Sequence, residues 1–266
     1  MELPFLNDGH MLKGIYQYQY DLMSRYLDMN IIPLWSPKFI DRKEYQAYLR
    51  KLISWITDEL GEASIEFNMG LQKSLTPEGN PGHAMLSGAH ELMDAMHFII
   101  ELMIYSDIMY EDIEAYYKEL LKERNLDPIN FSDGLMTTLA YGRHTNNWDD
   151  QVRIVNWQTA TMQLNTQVNQ DKLVIPFKIS EELEALKELC MWDVVKAYSQ
   201  AARYLKNKEW KVTTIETNVT EYKRALMVAW LYFGKLLDLS SLEARTVYYL
   251  YEHINKKNQR RIADGY

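Results

Sequence analysis

The stretch Glu91-Leu-Met-Asp-Ala-Met-His-Phe-Ile-Ile-Glu-Leu-Met103 is one of the most hydrophobic in the chain, and its apolar spacing predicts a helix. A helix that is apolar on nearly all sides is buried in a protein core. Glu91 and Asp94 interrupt this stretch three residues apart, so their carboxylates share one face of the helix. Buried carboxylates need a compensating partner. Because no Lys or Arg lies between residues 83 and 109, that partner must come from elsewhere.

A second acidic pair, Glu59 and Glu62, lies in the helical stretch Trp55-Ile-Thr-Asp-Glu-Leu-Gly-Glu-Ala-Ser-Ile-Glu-Phe67. If the two helices pack together, four carboxylates meet in one small volume, which only cations or protons make tolerable. Oxygen ligands favour hard divalent cations, so the pattern predicts a site for Mg²⁺, with Mn²⁺ as the alternative, in an enzyme that acts on phosphates. Acidic residues three apart are also common on solvated helix faces, and either pair alone favours that simpler interpretation.

The composition limits the other classes of function. The chain has 266 residues, of which 47% are hydrophobic, and a formal net charge of −8 without any extended run of Lys and Arg. Binding to duplex nucleic acid is therefore not expected. The single cysteine, Cys190, excludes an internal disulfide and suits a reducing compartment. No secretion signal and no apolar run of about 20 residues is present, so we expect a soluble cytoplasmic protein without a membrane partner.

Apolar residues recur at intervals of three and four almost everywhere, which predicts one all-α domain over residues 1–266, built as a multi-helix bundle. The predicted helices span residues 10–29, 41 to about 67, 83–105, 109–124, 148–168, 180–206, 218–237 and 240 onward. Asp41-x-x-Glu44 and Ser240-x-x-Glu243 resemble capping boxes that begin the second and the last of these helices. The segment 169–179 could hold a short strand or an extended connection.

The acidic pairs resemble the metal-binding signature of the all-α nucleoside triphosphate pyrophosphatases, a superfamily that includes MazG, the dimeric dUTPases and the phage dCTPase–dUTPases. The segment 91–98 is similar to the Glu-x-x-Asp-x-x-His-Phe segment of the dimeric dUTPases and phage dCTPases. The C-terminal segment 251–266 resembles their Lys-Asn-x-x-Asn-x-x-Arg-Gln-x-x-Gly-Tyr motif. The matching positions are Asn255, Asn258, Arg261, Gly265 and Tyr266. Two positions depart from the motif, because Ile254 and Ile262 replace its lysine and glutamine.

The resemblance covers roughly residues 55–101 and 226–266, and it implies an all-α homodimer that hydrolyses dUTP to dUMP and pyrophosphate with Mg²⁺. It also implies dCTP as a further substrate and a role in nucleotide pools, for example in a phage-infected cell. The metal ligands implied are Glu59, Glu62, Glu91 and Asp94. One glutamate of the first pair would orient or deprotonate the attacking water. The residues implied to bind the phosphates or nucleoside are Asn255, Asn258, Arg261 and Tyr266.

Six further residues are weaker candidates from the same resemblance. His97 matches the histidine of the motif and could support the metal ligands or simply pack. Lys256 or Lys257 could replace the missing motif lysine. Gln17, Gln19 and Trp35 lie where the dimeric dUTPases contact the nucleoside, although as plain structure the two glutamines suit a surface and the tryptophan suits a core.

Two alternatives remain open at this point. The first is a MazG-like pyrophosphatase for another or a modified nucleotide, which the two departures in the C-terminal motif favour. The second is a helical regulatory or dimerisation protein that keeps the fold without the chemistry. The presence of all four acidic residues argues against the second alternative.

Overall fold

The computed structural model describes residues 11–76, 80–123, 137–141, 152–156, 179–242 and 244–264. Its helices are α1 (Met11–Asp28), α2 (Lys43–Ser74), α3 (Gly82–Tyr105), α4 (Tyr110–Glu123), α5 (Glu181–Ala202), α6 (Val219–Leu239) and α7 (Ala244–Ala263), with a 3₁₀ turn at Pro37–Phe39. These helices confirm the predicted all-α fold class.

One antiparallel hairpin interrupts the helical pattern. Strand β1 (Thr137–Tyr141) pairs with β2 (Val152–Asn156), with Thr137 opposite Asn156. The helix predicted over 148–168 is therefore wrong at 152–156, where the run Val-Arg-Ile-Val is rich in the β-branched residues that fit a pleated strand. The possible strand at 169–179 lies outside the described residues, apart from Ile179.

The antiparallel helices α2 and α3 form the centre of the bundle. α5 and α6 pack against each other, and α5 also packs on α2. α1 and α7 pack against each other and both contact α3, while β1 contacts α6. None of the described helices contains a stretch that is long and apolar enough to cross a lipid bilayer. This arrangement places the acidic pairs of α2 and α3 side by side. The last helix, α7, packs against α3.

The start of α2 differs from the predicted capping box. Arg42 is the N-cap, and no side chain caps the helix. Asp41 instead accepts a hydrogen bond from the backbone N–H of Thr217 through Oδ1, at 2.8 Å. The carboxylate therefore ties the start of α2 to the segment before α6, because a tertiary donor replaces the local one.

The second predicted capping box is also wrong, since α7 begins at Ala244 and not at Ser240. Ser240 ends α6, and Ser241 follows with a positive φ of 59°. The N–H of Leu242 then bonds to the carbonyl of Leu237 at 2.9 Å, which closes α6 in the Schellman arrangement. The polar residues at this junction therefore end one helix, and they do not begin the next.

Two glycines on α2 and α3 give a matched stability prediction. A Cβ added at Gly88 would lie 2.8 Å from the Phe67 ring, whereas one added at Gly61 meets no described atom within 4 Å. Gly88→Ala should destabilise the fold by about 1–3 kcal/mol through overpacking. Gly61→Ala should stabilise it by roughly 0.5–1 kcal/mol, because Ala is the better helix former. Urea unfolding of both variants checks this; equal effects would contradict the α2–α3 packing.

Candidate functional site

The two acidic pairs meet midway along α2 and α3. One carboxylate oxygen each from Glu59, Glu62 and Glu91 lies within 4.8 Å of the others. Asp94 is close enough to be the charged group that most raises the pKa of Glu59. Because α2 and α3 run antiparallel, residues 59–62 of one helix face residues 91–94 of the other. We call these four residues the acidic cluster.

The cluster is electrostatically crowded. Burial, followed by the charges of Asp94, Glu62 and Glu91, raises the pKa of Glu59 to about 7. Burial and neighbouring acids also raise the pKa of Glu91. The pKa of Asp94 is raised by burial, although Lys257 and Arg261 oppose that shift. In the absence of a bound cation the protein therefore holds protons here more tightly than free carboxyls do.

The donor set of the acidic cluster fits a hard divalent cation. All four side chains offer carboxylate oxygens, and three of them are half-buried while Glu62 is exposed. Oxygen-only ligands of this kind suit Mg²⁺ or Mn²⁺ better than the softer transition metals. The exposed Glu62 leaves one side of the cluster open to solvent and thus to a substrate.

Cationic side chains from α7 face the same cluster. Lys257 and Arg261 are four residues apart, so they share one face of α7, and both lower the pKa of Asp94. Both side chains are exposed. An anion that approaches the acidic cluster through bound cations would therefore meet two positive charges near Asp94.

The asparagines of the C-terminal motif have different surroundings. Asn255 is fully buried, and its Nδ2 donates to the backbone carbonyl of Tyr18 at 3.1 Å. Its Oδ1 accepts from Nε2 of Gln259 at 2.8 Å. The Asn255 side chain thus joins α7 to α1. Asn258, one turn further along α7, is half-buried. Tyr266 lies outside the described residues.

Aromatic side chains continue the faces of α2 and α3 that carry the acidic cluster. Trp55 and Phe98 are each one turn from the cluster, and their ring centroids are 5.1 Å apart. Tyr48 follows on α2, with its ring centroid 6.3 Å from that of Trp55. Tyr105 lies at the far end, 5.0 Å from Tyr48. We call these four residues the aromatic row; sequence reasoning assigned none of them to the site.

Glu101 lies beside Tyr48 of this row, and sequence reasoning did not assign it to the site either. It is 5% exposed, and burial raises its pKa to about 7. Seven residues separate it from Asp94, so both lie on one face of α3. That spacing, together with the position of an acid inside an apolar run, was the signal that could have identified it.

The weaker candidates divide into interior and surface residues. Gln19 is buried and hydrogen-bonded to Glu101, whereas Gln17 donates to Asp21 at the surface. Trp35 is half-buried between the rings of Tyr20 and Tyr105. Lys256 pairs with Glu252 at 2.6 Å.

His97 is buried and packs against α7. Its ring stacks on Tyr251 with centroids 3.9 Å apart. Nδ1 lies 2.8 Å from the carbonyl of Met93, and Nε2 has no hydrogen-bond partner among the described residues. Burial lowers its pKa to about 4, so the ring is neutral at physiological pH.

Comparison of the chain with protein-family models, curated proteins and solved structures found no match.

Proposed function

We propose that the protein is a Mg²⁺-dependent pyrophosphohydrolase of the pyrimidine deoxynucleoside triphosphates dUTP and dCTP. The observation that carries the proposal is the meeting of Glu59, Glu62 and Glu91 within 4.8 Å, with the cationic Lys257 and Arg261 near Asp94. A triphosphate is a polyanion, and it needs cations on both sides when it binds beside carboxylates. The acidic cluster would provide positive charge through the Mg²⁺ that it binds. Lys257 and Arg261 of α7 would provide it through their own side chains.

The division of roles follows from the chemistry of the side chains. Glu59, Glu62, Glu91 and Asp94 would hold Mg²⁺. When bound, Mg²⁺ would lower the pKa of a coordinated water and neutralise phosphate charge. Glu59 or Glu62 would orient or deprotonate the water that attacks the α-phosphorus, with pyrophosphate as the leaving group.

Two other groups of side chains would position the substrate. Arg261 and Lys257 would hold phosphate oxygens on the side away from the metal, where a guanidinium can donate two parallel hydrogen bonds. The aromatic row begins one turn from the acidic cluster, and its first members, Trp55 and Phe98, are half-buried. Nζ of Lys51 lies over the Trp55 ring, 4.6 Å from its centroid. A nucleoside whose phosphates lie at the cluster would extend along these rings.

A substrate panel tests the proposal. Pyrophosphate release from dUTP, dCTP, dTTP, dATP and dGTP should be measured with Mg²⁺ and with EDTA. We expect release from dUTP and dCTP with Mg²⁺ alone. Exclusive turnover of a purine nucleotide would support the alternative of a MazG-like pyrophosphatase for another nucleotide. Absence of release from every nucleotide would favour a non-catalytic helical protein.

The proposed function carries two further expectations. A nucleotide hydrolase of this kind would act in the cytoplasm as a homodimer. Light scattering of the purified chain measures its oligomeric state.

Arg261→Ala should weaken substrate binding more than it slows the chemical step. Loss of a charge-assisted hydrogen bond to phosphate corresponds to roughly a 10- to 100-fold rise in KM. Arg260→Ala is the matched control, because Arg260 is exposed on the same turn but is not among the groups that shift the pKa of Asp94. Steady-state kinetics with dUTP distinguish the two variants, and an unchanged KM and kcat in Arg261→Ala would remove Arg261 from the site.

A further inference from the structure

One row of side chains continues along the facing sides of α2 and α3 from the acidic cluster to Glu101, which is 5% exposed. From the cluster, the side chains that follow on the facing sides of α2 and α3 are first Trp55 with Phe98, and then Tyr48 with Glu101. Asp94 and Glu101 are separated by two helical turns, or roughly 10 Å along α3. A nucleotide bound with its phosphates at the cluster spans this length, so its base would arrive near Tyr48 and Glu101.

The surroundings of Glu101 are unusual for a carboxyl group. Its Oε1 accepts from the hydroxyl of Tyr48 at 2.6 Å, and its Oε2 accepts from Nε2 of Gln19 at 3.3 Å. Among the described residues, no Lys or Arg is near enough to affect its pKa. Burial of a carboxyl without a cation is costly. The fold therefore tolerates a polar group that an apolar residue could replace at lower cost, as is common where a site binds a ligand.

The hydrogen bonds around Glu101 fix its direction but do not exhaust its capacity. Tyr251 donates to Oε1 of Gln19 at 2.6 Å, which fixes the amide so that Nε2 points to Glu101. Tyr251 is itself held flat against His97. An ionised carboxylate has about four acceptor positions, and only two are used here. Glu101 thus offers a ligand acceptor positions and no donor when it is ionised.

We propose that Glu101 reads the edge of the nucleobase and selects a pyrimidine with an exocyclic amino group, so that cytosine nucleotides bind more tightly than uracil nucleotides. This inference rests on the proposed function for the location of the phosphates. Cytosine presents an amino donor at C4, where uracil presents a carbonyl acceptor. A carboxylate accepts from the amino group and repels the carbonyl. The proposal assigns Glu101 to base recognition, while the acidic cluster keeps the chemical step.

Binding and turnover are measured separately to test this. Isothermal titration with dCMP and dUMP in the presence of Mg²⁺, above pH 8 so that Glu101 is ionised, reports base preference without turnover. We expect dCMP to bind roughly 10- to 100-fold more tightly than dUMP to the native protein, the range expected for a hydrogen bond to a charged group. In Glu101→Gln this ratio should fall to about one, because the amide offers both a donor and an acceptor.

Glu252→Gln is the matched control. Glu252 is also buried and also accepts a tyrosine hydroxyl, from Tyr18 at 2.9 Å, but it lies on α7 outside the aromatic row. Its replacement should leave the dCMP-to-dUMP ratio unchanged. Equal weakening of both nucleotides in Glu101→Gln would show a purely structural role and overturn the proposal.

The native ratio is independent of how well any variant folds, so equal affinity of the native protein for dCMP and dUMP also overturns the inference. Pyrophosphate release from dCTP and dUTP separates it from the proposed function. Suppose that the native protein prefers dCMP, that Glu101→Gln removes this preference, and that no nucleotide is hydrolysed. This result upholds base recognition by Glu101 and rejects the hydrolase. Hydrolysis without a base preference upholds the hydrolase and rejects base recognition by Glu101. Failure to bind either monophosphate, together with absence of pyrophosphate release, rejects both.

Discussion

Glu62→Gln and Asp94→Asn are each expected to reduce pyrophosphate release by about 10³-fold or more, because loss of several kcal/mol of metal-dependent charge stabilisation corresponds to a change of that size. Both substitutions keep the shape of the side chain and remove one negative charge from the acidic cluster. Since like charges oppose one another there, the metal-free variants should fold normally and be slightly more stable than the native protein.

The reaction should be followed at saturating Mg²⁺ with dUTP and dCTP, alongside thermal unfolding in EDTA. Glu119→Gln serves as the control for loss of charge, because Glu119 is exposed on α4 and is not among the groups that shift the pKa of Glu59, Glu91 or Asp94. It should retain native turnover. Native turnover in both Glu62→Gln and Asp94→Asn would reject the metal site, whereas a fall in stability would attribute the loss of activity to misfolding.

Removal of divalent cations should abolish turnover and make the stability of the protein depend on pH. The pKa of Glu59 in the folded protein is about 7, above its ordinary value of 4.5. A raised pKa favours folding while the group is protonated, so this contribution is full below about pH 4.5 and is lost as pH rises through 7. The metal-free protein should therefore melt at a lower temperature at pH 8 than at pH 5.

Mg²⁺ should restore stability chiefly at the higher pH, where the carboxylates of the cluster are ionised and available to it. Because Glu59 is half-exposed, solvent screening limits its contribution to on the order of 1 kcal/mol, or roughly 2–4 °C in Tm. Differential scanning calorimetry at pH 5 and pH 8, with Mg²⁺ and with EDTA, measures this.

Glu59→Gln provides the control for the pH experiment. It should flatten the pH dependence only in part, because burial also raises the pKa of Glu101 to about 7 and that group remains. An identical pH dependence in the native protein and in Glu59→Gln would contradict the crowding of the acidic cluster. Absence of any effect of Mg²⁺ on Tm would remove the metal from the proposed function.

The helices were predictable because local sequence decides where they form. Their ends were mispredicted where a tertiary contact decides them. The helical spacing of apolar residues in α2 and α3 identified both helices and the positions of their acidic pairs. The cap at Asp41 was mispredicted because a backbone donor from residue 217 competes for its carboxylate. Ser240 was mispredicted because ending α6 and starting α7 call for similar polar residues. The β1–β2 hairpin was missed because strand pairing depends on a partner segment distant in sequence.

The candidate site divides in the same way. Acid pairs three residues apart on a helix are a local pattern, so the sequence predicted Glu59, Glu62, Glu91 and Asp94 as a set. Arg261 and Asn255 were predicted from the resemblance of the C-terminal segment to the family motif. That resemblance could not show that the Asn255 side chain is used between α1 and α7. That distinction needs the position of Tyr18, which only the packing supplies.

The sequence by itself determined the helical periodicity and the side of each helix that carries its carboxylates, because both depend on residues within a few positions of one another. The tertiary structure decided the antiparallel alignment of α2 with α3, which brings Glu91 within 4.8 Å of Glu59 and Glu62 and places the aromatic row beside them. It also decided the burial of Glu101 beneath Tyr48 and Gln19. These features arise from packing between helices far apart in sequence, and no local pattern specifies such packing.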